Sequence, residues 1–282
     1  MDRTIRIGHS PDPDDAFMFH ALTTQAFETP GFHYVHDLQD IQTLNERAHN
    51  GELEVSAISI HSYPSVSHRY ALMNCGASMG EGYGPMIVAR PGVDIEEIRH
   101  APIAVPGLQT SAYLALRLCW GDFDHVVVPF DEIIPRILDG TVMSGLIIHE
   151  GQLTYADHGL EVHLNLGTWW GERTGGLPLP LGGNIVRRDL GPEAMTAITM
   201  HTKRSIEHAL EQPDDALEFA KRWGRGIDDE TNEEFVSMYV NQRTLDYGED
   251  GRASIRRFLK EGQAIGLIPA EFDPEGIEFI GA

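Results

Sequence analysis

The alternation of short strand-like runs with helix-like ones is what most constrains this chain. Residues 4–9 (TIRIGH) alternate as a strand does, and the apolar run at 16–22 (AFMFHAL) follows them with helical character. Residues 32–37 then read as strand, 41–50 as helix closed by Gly51, and 54–59 (EVSAIS) as strand. A βαβα opening of this kind favours a parallel sheet over an all-helical or all-β fold. Between the first strand and helix lies SPDPDD (10–15), a turn in which Asp14 or Asp15 is expected to cap the helix. Amides at that helix start offer an anion site beside Ser10 and Asp14, although the acidic side chains oppose it unless they cap.

Pro91-Gly92 breaks this unit, and a second one repeats its plan. A strand at 102–106 runs through GLQTS (107–111) into an apolar helix at 112–120, with Thr110 or Ser111 at its cap. Both units thus bring hydroxyls and helix-start amides to the end of a strand, an arrangement suited to a carboxylate. After a strand at 125–129 and a helix at 130–138, GLIIHE (145–150) reads as the next core strand. His149 then sits at its end, where α/β sheets place ligands and where an imidazole can work as acid or base near neutral pH. Ser56 and Ser59 hold the matching place in the strand at 54–59.

Residues 164–183 read as a long irregular segment carrying Trp169 and Trp170, which either wall a pocket or pack beneath the loop. A short strand at 184–188 is expected next, and then helices at 192–211, 214–223, 231–240 and 251–265, punctuated by Pro213 and by residues 224–229. Too little chain remains for a third sheet, so these helices return to cover the first unit. The outcome is an α/β fold of two lobes, 1–91 plus 187–282 and 92–186, joined by two crossings. That is the type 2 periplasmic-binding-protein-like architecture, with its ligand in the cleft.

Composition narrows the partners. Acidic residues outnumber basic ones 43 to 21, a formal charge of −22, which argues against nucleic acid and anionic membrane surfaces. No apolar run reaches the ~18 residues of a membrane helix, and the first residues enter a strand pattern without a signal-peptide core, so a cytoplasmic location is expected. Cys75 and Cys119 lack metal or disulfide spacing and are expected as buried thiols. The glycine-rich stretch 76–84 lacks a Walker ending and precedes a strand at 85–90, so phosphate binding there is not expected.

Taken together and in order, SPDPDDAF (10–17), TSAY (110–113), GLIIHE (145–150), GTWW (167–170) with ERT (172–174), and LPLPLG (177–182) resemble 1,4-dihydroxy-6-naphthoate synthase of the futalosine route to menaquinone. The resemblance spans nearly the whole chain. It implies a lyase that converts cyclic dehypoxanthine futalosine to 1,4-dihydroxy-6-naphthoate and dihydroxyacetone, with neither metal nor organic cofactor. By motif match it implies His149 as proton acceptor and Thr110 and Ser111 as substrate contacts, together with the strand-end residues Ala57, Ile58 and Ser59. The small-molecule carboxylate substrate is then the expected partner, and a homodimer is compatible with this reading. The family's first motif usually reads SPCPNDTF, whereas this chain has Asp12, Asp14 and Ala16; an amide turned carboxylate changes the site's charge by one unit. Two other readings share the architecture: a solute-binding or sensor protein without catalysis, and chorismate dehydratase of the same route.

Overall fold

The structure, a computed structural model, describes residues 2–223 and 228–281, so part of the break expected at 224–229 lies outside the described residues. Strands are labelled in chain order: β1 (Arg3–His9), β2 (Phe32–Leu38), β3 (Val55–Ser59), β4 (Tyr70–Met73), β5 (Ser78–Gly80), β6 (Met86–Ala89), β7 (Ile103–Val105), β8 (His125–Val127), β9 (Ser144–Ile147), β10 (Glu161–Asn165), β11 (Leu179–Arg187) and β12 (Phe279–Ile280). They form two sheets, one ordered β12-β4-β11-β3-β1-β2 with β5 beside β11, the other β10-β6-β9-β7-β8.

In the first sheet β1 runs parallel to β2 and β3, as the βαβα opening predicts. The sheet is nevertheless mixed, because β11 inserts antiparallel between β3 and β4. In the second sheet β7 is parallel to β8 and β9, while β6 runs antiparallel to both of its neighbours, β9 and β10. Sheet membership therefore changes between β5 and β6 and again between β10 and β11. Both changes fall earlier in the chain than the 91/92 and 186/187 divisions read from sequence. Pro91-Gly92 is a turn after a strand that already belongs to the second sheet, and β6 is an apolar run whose partners its own residues cannot specify.

The helix Pro13–Thr23 is apolar around most of its circumference, so it needs cover on more than one side. The helices Pro192–Glu211, Pro213–Ala220 and Asp229–Tyr239 supply that cover, and the C-terminal segment thus returns to the first unit. Ile41–Asn50 forms as its sequence suggests: Asp40 accepts from the Thr43 amide, and Gly51 ends the helix in the left-handed conformation.

Residues 164–183 are not irregular. Asn165 accepts from the Gly167 and Thr168 amides and starts the helix Leu166–Thr174, after which residues 179–187 are all strand. Two glycines and two threonines hide this helix from propensity reasoning. Gly167 is required by contact, since a Cβ there would lie 1.8 Å from the Tyr83 carbonyl oxygen. Trp170 is fully buried, donates from Nε1 to Ser254 Oγ at 2.9 Å and meets the Phe258 ring edge-on. Cys75 is buried as expected, whereas Cys119 is only half-buried.

Candidate active site

Four strands, a parallel pair from each sheet, end at the same cavity, whose empty volume including its mouth is about 760 Å³. Ser10 follows β1, Ala57, Ile58 and Ser59 close β3, Thr110 and Ser111 follow β7, and His149 follows β9. All of these, together with Asp14, line the one cavity, so the structure brings together every residue that the sequence reading singled out for the site. Ser56 is the exception among the strand-end hydroxyls: it is fully buried and donates to the Ala57 carbonyl at 2.8 Å. Trp169 and Trp170 do not line the cavity.

Each hydroxyl is fixed by its surroundings. Ser59 donates its amide to Asn45 Oδ1 at 2.9 Å, and its Oγ accepts from Asn45 Nδ2 at 3.0 Å. Thr110 caps the helix Ser111–Trp120 by accepting from the Tyr113 amide at 3.2 Å. Ser111 donates to the Leu181 carbonyl at 2.5 Å and accepts from the His61 amide at 3.2 Å. These last contacts tie the second sheet's helix start to segments of the first.

The acidic turn departs from expectation. Helix 13–23 begins at Pro13, whose fixed φ suits the first helical position, so Asp14 and Asp15 fall inside the first turn. Asp12 takes the N-cap position but makes no side-chain cap bond. Asp15 turns back instead, accepting from the Ser10 amide at 2.6 Å and the Ser10 hydroxyl at 2.9 Å. Burial pushes the Asp15 carboxyl up to about 6, with the Ser10 hydrogen bonds opposing the rise. Asp14 is held well above the usual carboxylate range, first by loss of solvation and then by the charges of Asp15 and Asp12. Its carboxyl is thus biased toward the neutral form, which reduces the charge change that an aspartate at this position brings.

β9 ends at Ile147, two residues before His149, which adopts φ +67°, a left-handed conformation that His tolerates better than most side chains. Its Nδ1 lies 2.8 Å from Asp12 Oδ2, and its ring centroid lies 4.2 Å from that of Phe130. Asp12, His149 and Glu150 each bring one atom able to ligate a metal to within 4.8 Å of the others. A cation held through Nδ1 would have to displace the contact between Asp12 and His149.

Other cavity residues were not singled out by sequence. Gln152, three positions beyond His149, accepts from the Tyr239 hydroxyl at 3.0 Å. Asn184 on β11 donates from Nδ2 to the Gly76 carbonyl at 3.1 Å, which leaves its buried Oδ1 as an acceptor in the cavity wall. Spacing to His149 could have flagged Gln152; nothing local marks Tyr239 or Asn184. Among the described residues lining the cavity there is no lysine or arginine, so a bound carboxylate would be met by hydroxyls and amides rather than by a cation.

The chain is 40% identical to a 1,4-dihydroxy-6-naphthoate synthase of Thermus thermophilus over 264 residues, covering 93% of this chain and 95% of that one. It is 36% identical to the enzyme of the same description from Streptomyces coelicolor over 283 residues, covering 98% of each. A crystal structure of a protein from Archaeoglobus fulgidus superposes with a TM-score of 0.90 at 44% identity, over 94% of this chain and 98% of that one. The alkanesulfonate-binding protein SsuA of Xanthomonas axonopodis pv. citri matches at 11% identity with a TM-score of 0.73, over 96% of each chain, and this likeness shows the periplasmic-binding-protein-like fold alone. Because the profile of the menaquinone-biosynthesis family matches residues 5–264 and both enzymes align along nearly their whole lengths, the chain belongs to that family.

Proposed function

We propose that this chain is a cytoplasmic carbon–carbon lyase that converts cyclic dehypoxanthine futalosine to 1,4-dihydroxy-6-naphthoate and dihydroxyacetone, with His149 as the proton acceptor. One observation carries the reading: His149 shares a cavity with hydroxyls and helix-start amides drawn from both sheets. The helix Ser111–Trp120 has no acidic residue in its first turn, unlike Pro13–Thr23, so its amides are the better seat for the substrate carboxylate. His149 Nε2 then takes the proton of a substrate hydroxyl. As the O–H electron pair becomes a carbonyl π bond, the adjacent C–C bond breaks in retro-aldol fashion and its electron pair passes to a ring carbonyl as an enolate, which takes up a proton; aromatisation of the ring draws the reaction forward. General-base help contributes roughly 10²–10⁴-fold, and orientation in the cavity supplies much of the remainder. Among the described residues no helix is long and apolar enough to cross a membrane. The homodimer is part of the same proposal and is read by sedimentation.

The test is incubation of purified protein with cyclic dehypoxanthine futalosine, followed by product analysis. Release of dihydroxyacetone together with the naphthoate supports the lyase. Tight binding without either product would instead establish a solute-binding role.

A further inference from the structure

We infer that Asp12 is the positioning residue of the base: its carboxylate keeps the imidazole proton of His149 on Nδ1, so that Nε2 presents its lone pair to the substrate. The inference rests on the reading of His149 as proton acceptor and adds a residue to it. An ionised carboxylate can only accept, so at 2.8 Å from Asp12 Oδ2 it is Nδ1 that must carry the hydrogen. The partner of one ring nitrogen decides which nitrogen can act as base. The same carboxylate also stabilises the imidazolium that forms once Nε2 has taken a proton.

Three features indicate that this contact is built into the fold. Asp12 stands at the N-cap of Pro13–Thr23, where an aspartate ordinarily accepts from a helix-start amide, yet its side chain makes no such bond. Its backbone is still held there, since its carbonyl accepts from the Ala16 amide at 2.9 Å. The side chains are only 3% exposed for Asp12 and 11% for His149, so the pair works where water screens it little. On the other side, the left-handed turn at His149 and the Phe130 ring against its imidazole limit the orientations the ring can take. Asp12 follows a strand of the first sheet and His149 a strand of the second, so the base is oriented by a contact that crosses between the sheets.

Long-range ¹H–¹⁵N spectra of histidine-labelled protein read the tautomer directly. His9, His61 and His100 each place Nδ1 against a backbone carbonyl and should also carry a proton there, so the His149 signal is the one that His149→Asn removes. In the wild type it should show the proton on Nδ1, and a proton on Nε2 would overturn the inference even if no Asp12 variant folds. Asp12→Asn can either accept through Oδ1 or donate through Nδ2, so it no longer dictates the tautomer. It should lower kcat by about 10²–10⁴-fold with KM little changed. Full turnover in Asp12→Asn beside an inactive His149→Asn removes the role of Asp12 alone, whereas normal turnover in His149→Asn removes the base reading itself.

Discussion

A histidine in the left-handed region is held there by its surroundings, and non-glycine residues in that region are recurrent at functional sites. The conformation also shapes the variant that tests it. His149→Ala loses the ring and places alanine where L residues are disfavoured, whereas asparagine is among the side chains most at home at φ +67°. His149→Asn is therefore expected to lower turnover at least ~10²-fold and, because it takes the imidazole away from the buried Asp12 carboxylate, to cost about 1–3 kcal/mol of stability while still folding. Denaturant melts run beside product assays check both halves; near-normal turnover in a folded variant ends the base assignment. Asp15 makes a second residue-scale case. Burial raises its folded carboxyl to about 6, above the ordinary 3.8, so the folded state binds more protons between those values and stability falls as pH rises through that window. Asp15→Asn keeps an oxygen to accept from the Ser10 amide and hydroxyl but carries no charge. Thermal melts should show a higher midpoint than wild type near pH ~8 and a gain that shrinks toward pH ~4. An equal shift at both pH values would show that charge burial is not the cause.

At the scale of elements, the helix Leu166–Thr174 shows how tertiary contacts override local preference. Its sequence, LGTWWGERT, argues for a loop; the Asn165 cap and the burial of Trp170 make it a helix. Trp170→Ala should cost about 3–5 kcal/mol, because it removes a fully buried ring and leaves Ser254 without its indole donor. Trp170→Phe should cost less, since most of the packing against Phe258 survives. Chemical denaturation reads both, and a small loss for alanine would mean that the helix is not anchored by this residue. Elements whose signals are local were legible: Ile41–Asn50 with its Asp40 cap and Gly51 stop, and Ser111–Trp120 with Thr110 at its cap. The acidic turn misled because Pro13 opens the helix and puts the N-cap at Asp12, two or three residues ahead of the expected caps, and the Asp12 side chain reaches His149 instead of capping. β6 and β11 misled because pairing depends on partners far along the chain, which a strand's own residues do not encode.

Across the whole molecule, the part of the site that could be read from sequence is the part that follows parallel strands. Ser10, Ser59, Thr110 and His149 stand at or just beyond the C-terminal ends of β1, β3, β7 and β9, where open α/β sheets gather their ligands. Asn184 comes from the antiparallel β11 and Tyr239 from the helix Asp229–Tyr239, so neither follows from that rule. Charge also acts on the molecule as a unit. With a formal charge of −22, most long-range charge pairs on the surface are repulsive, and the exposed ion pairs that oppose them, such as Arg136 with Glu132, are worth only about 0–1 kcal/mol each. Raising ionic strength from ~0.01 M to ~1 M shortens the screening length from about 30 Å to about 3 Å, which removes the many distant repulsions while weakening contact pairs far less. Added sodium chloride should therefore raise the melting temperature at neutral pH. The gain should shrink as the carboxylates are protonated and the net charge falls toward zero. Melts across a salt series at neutral pH and near the sequence pI of about 4.9 test this: a melting temperature that falls with salt at neutral pH would mean that attractive pairs, not net repulsion, dominate the electrostatics of this fold.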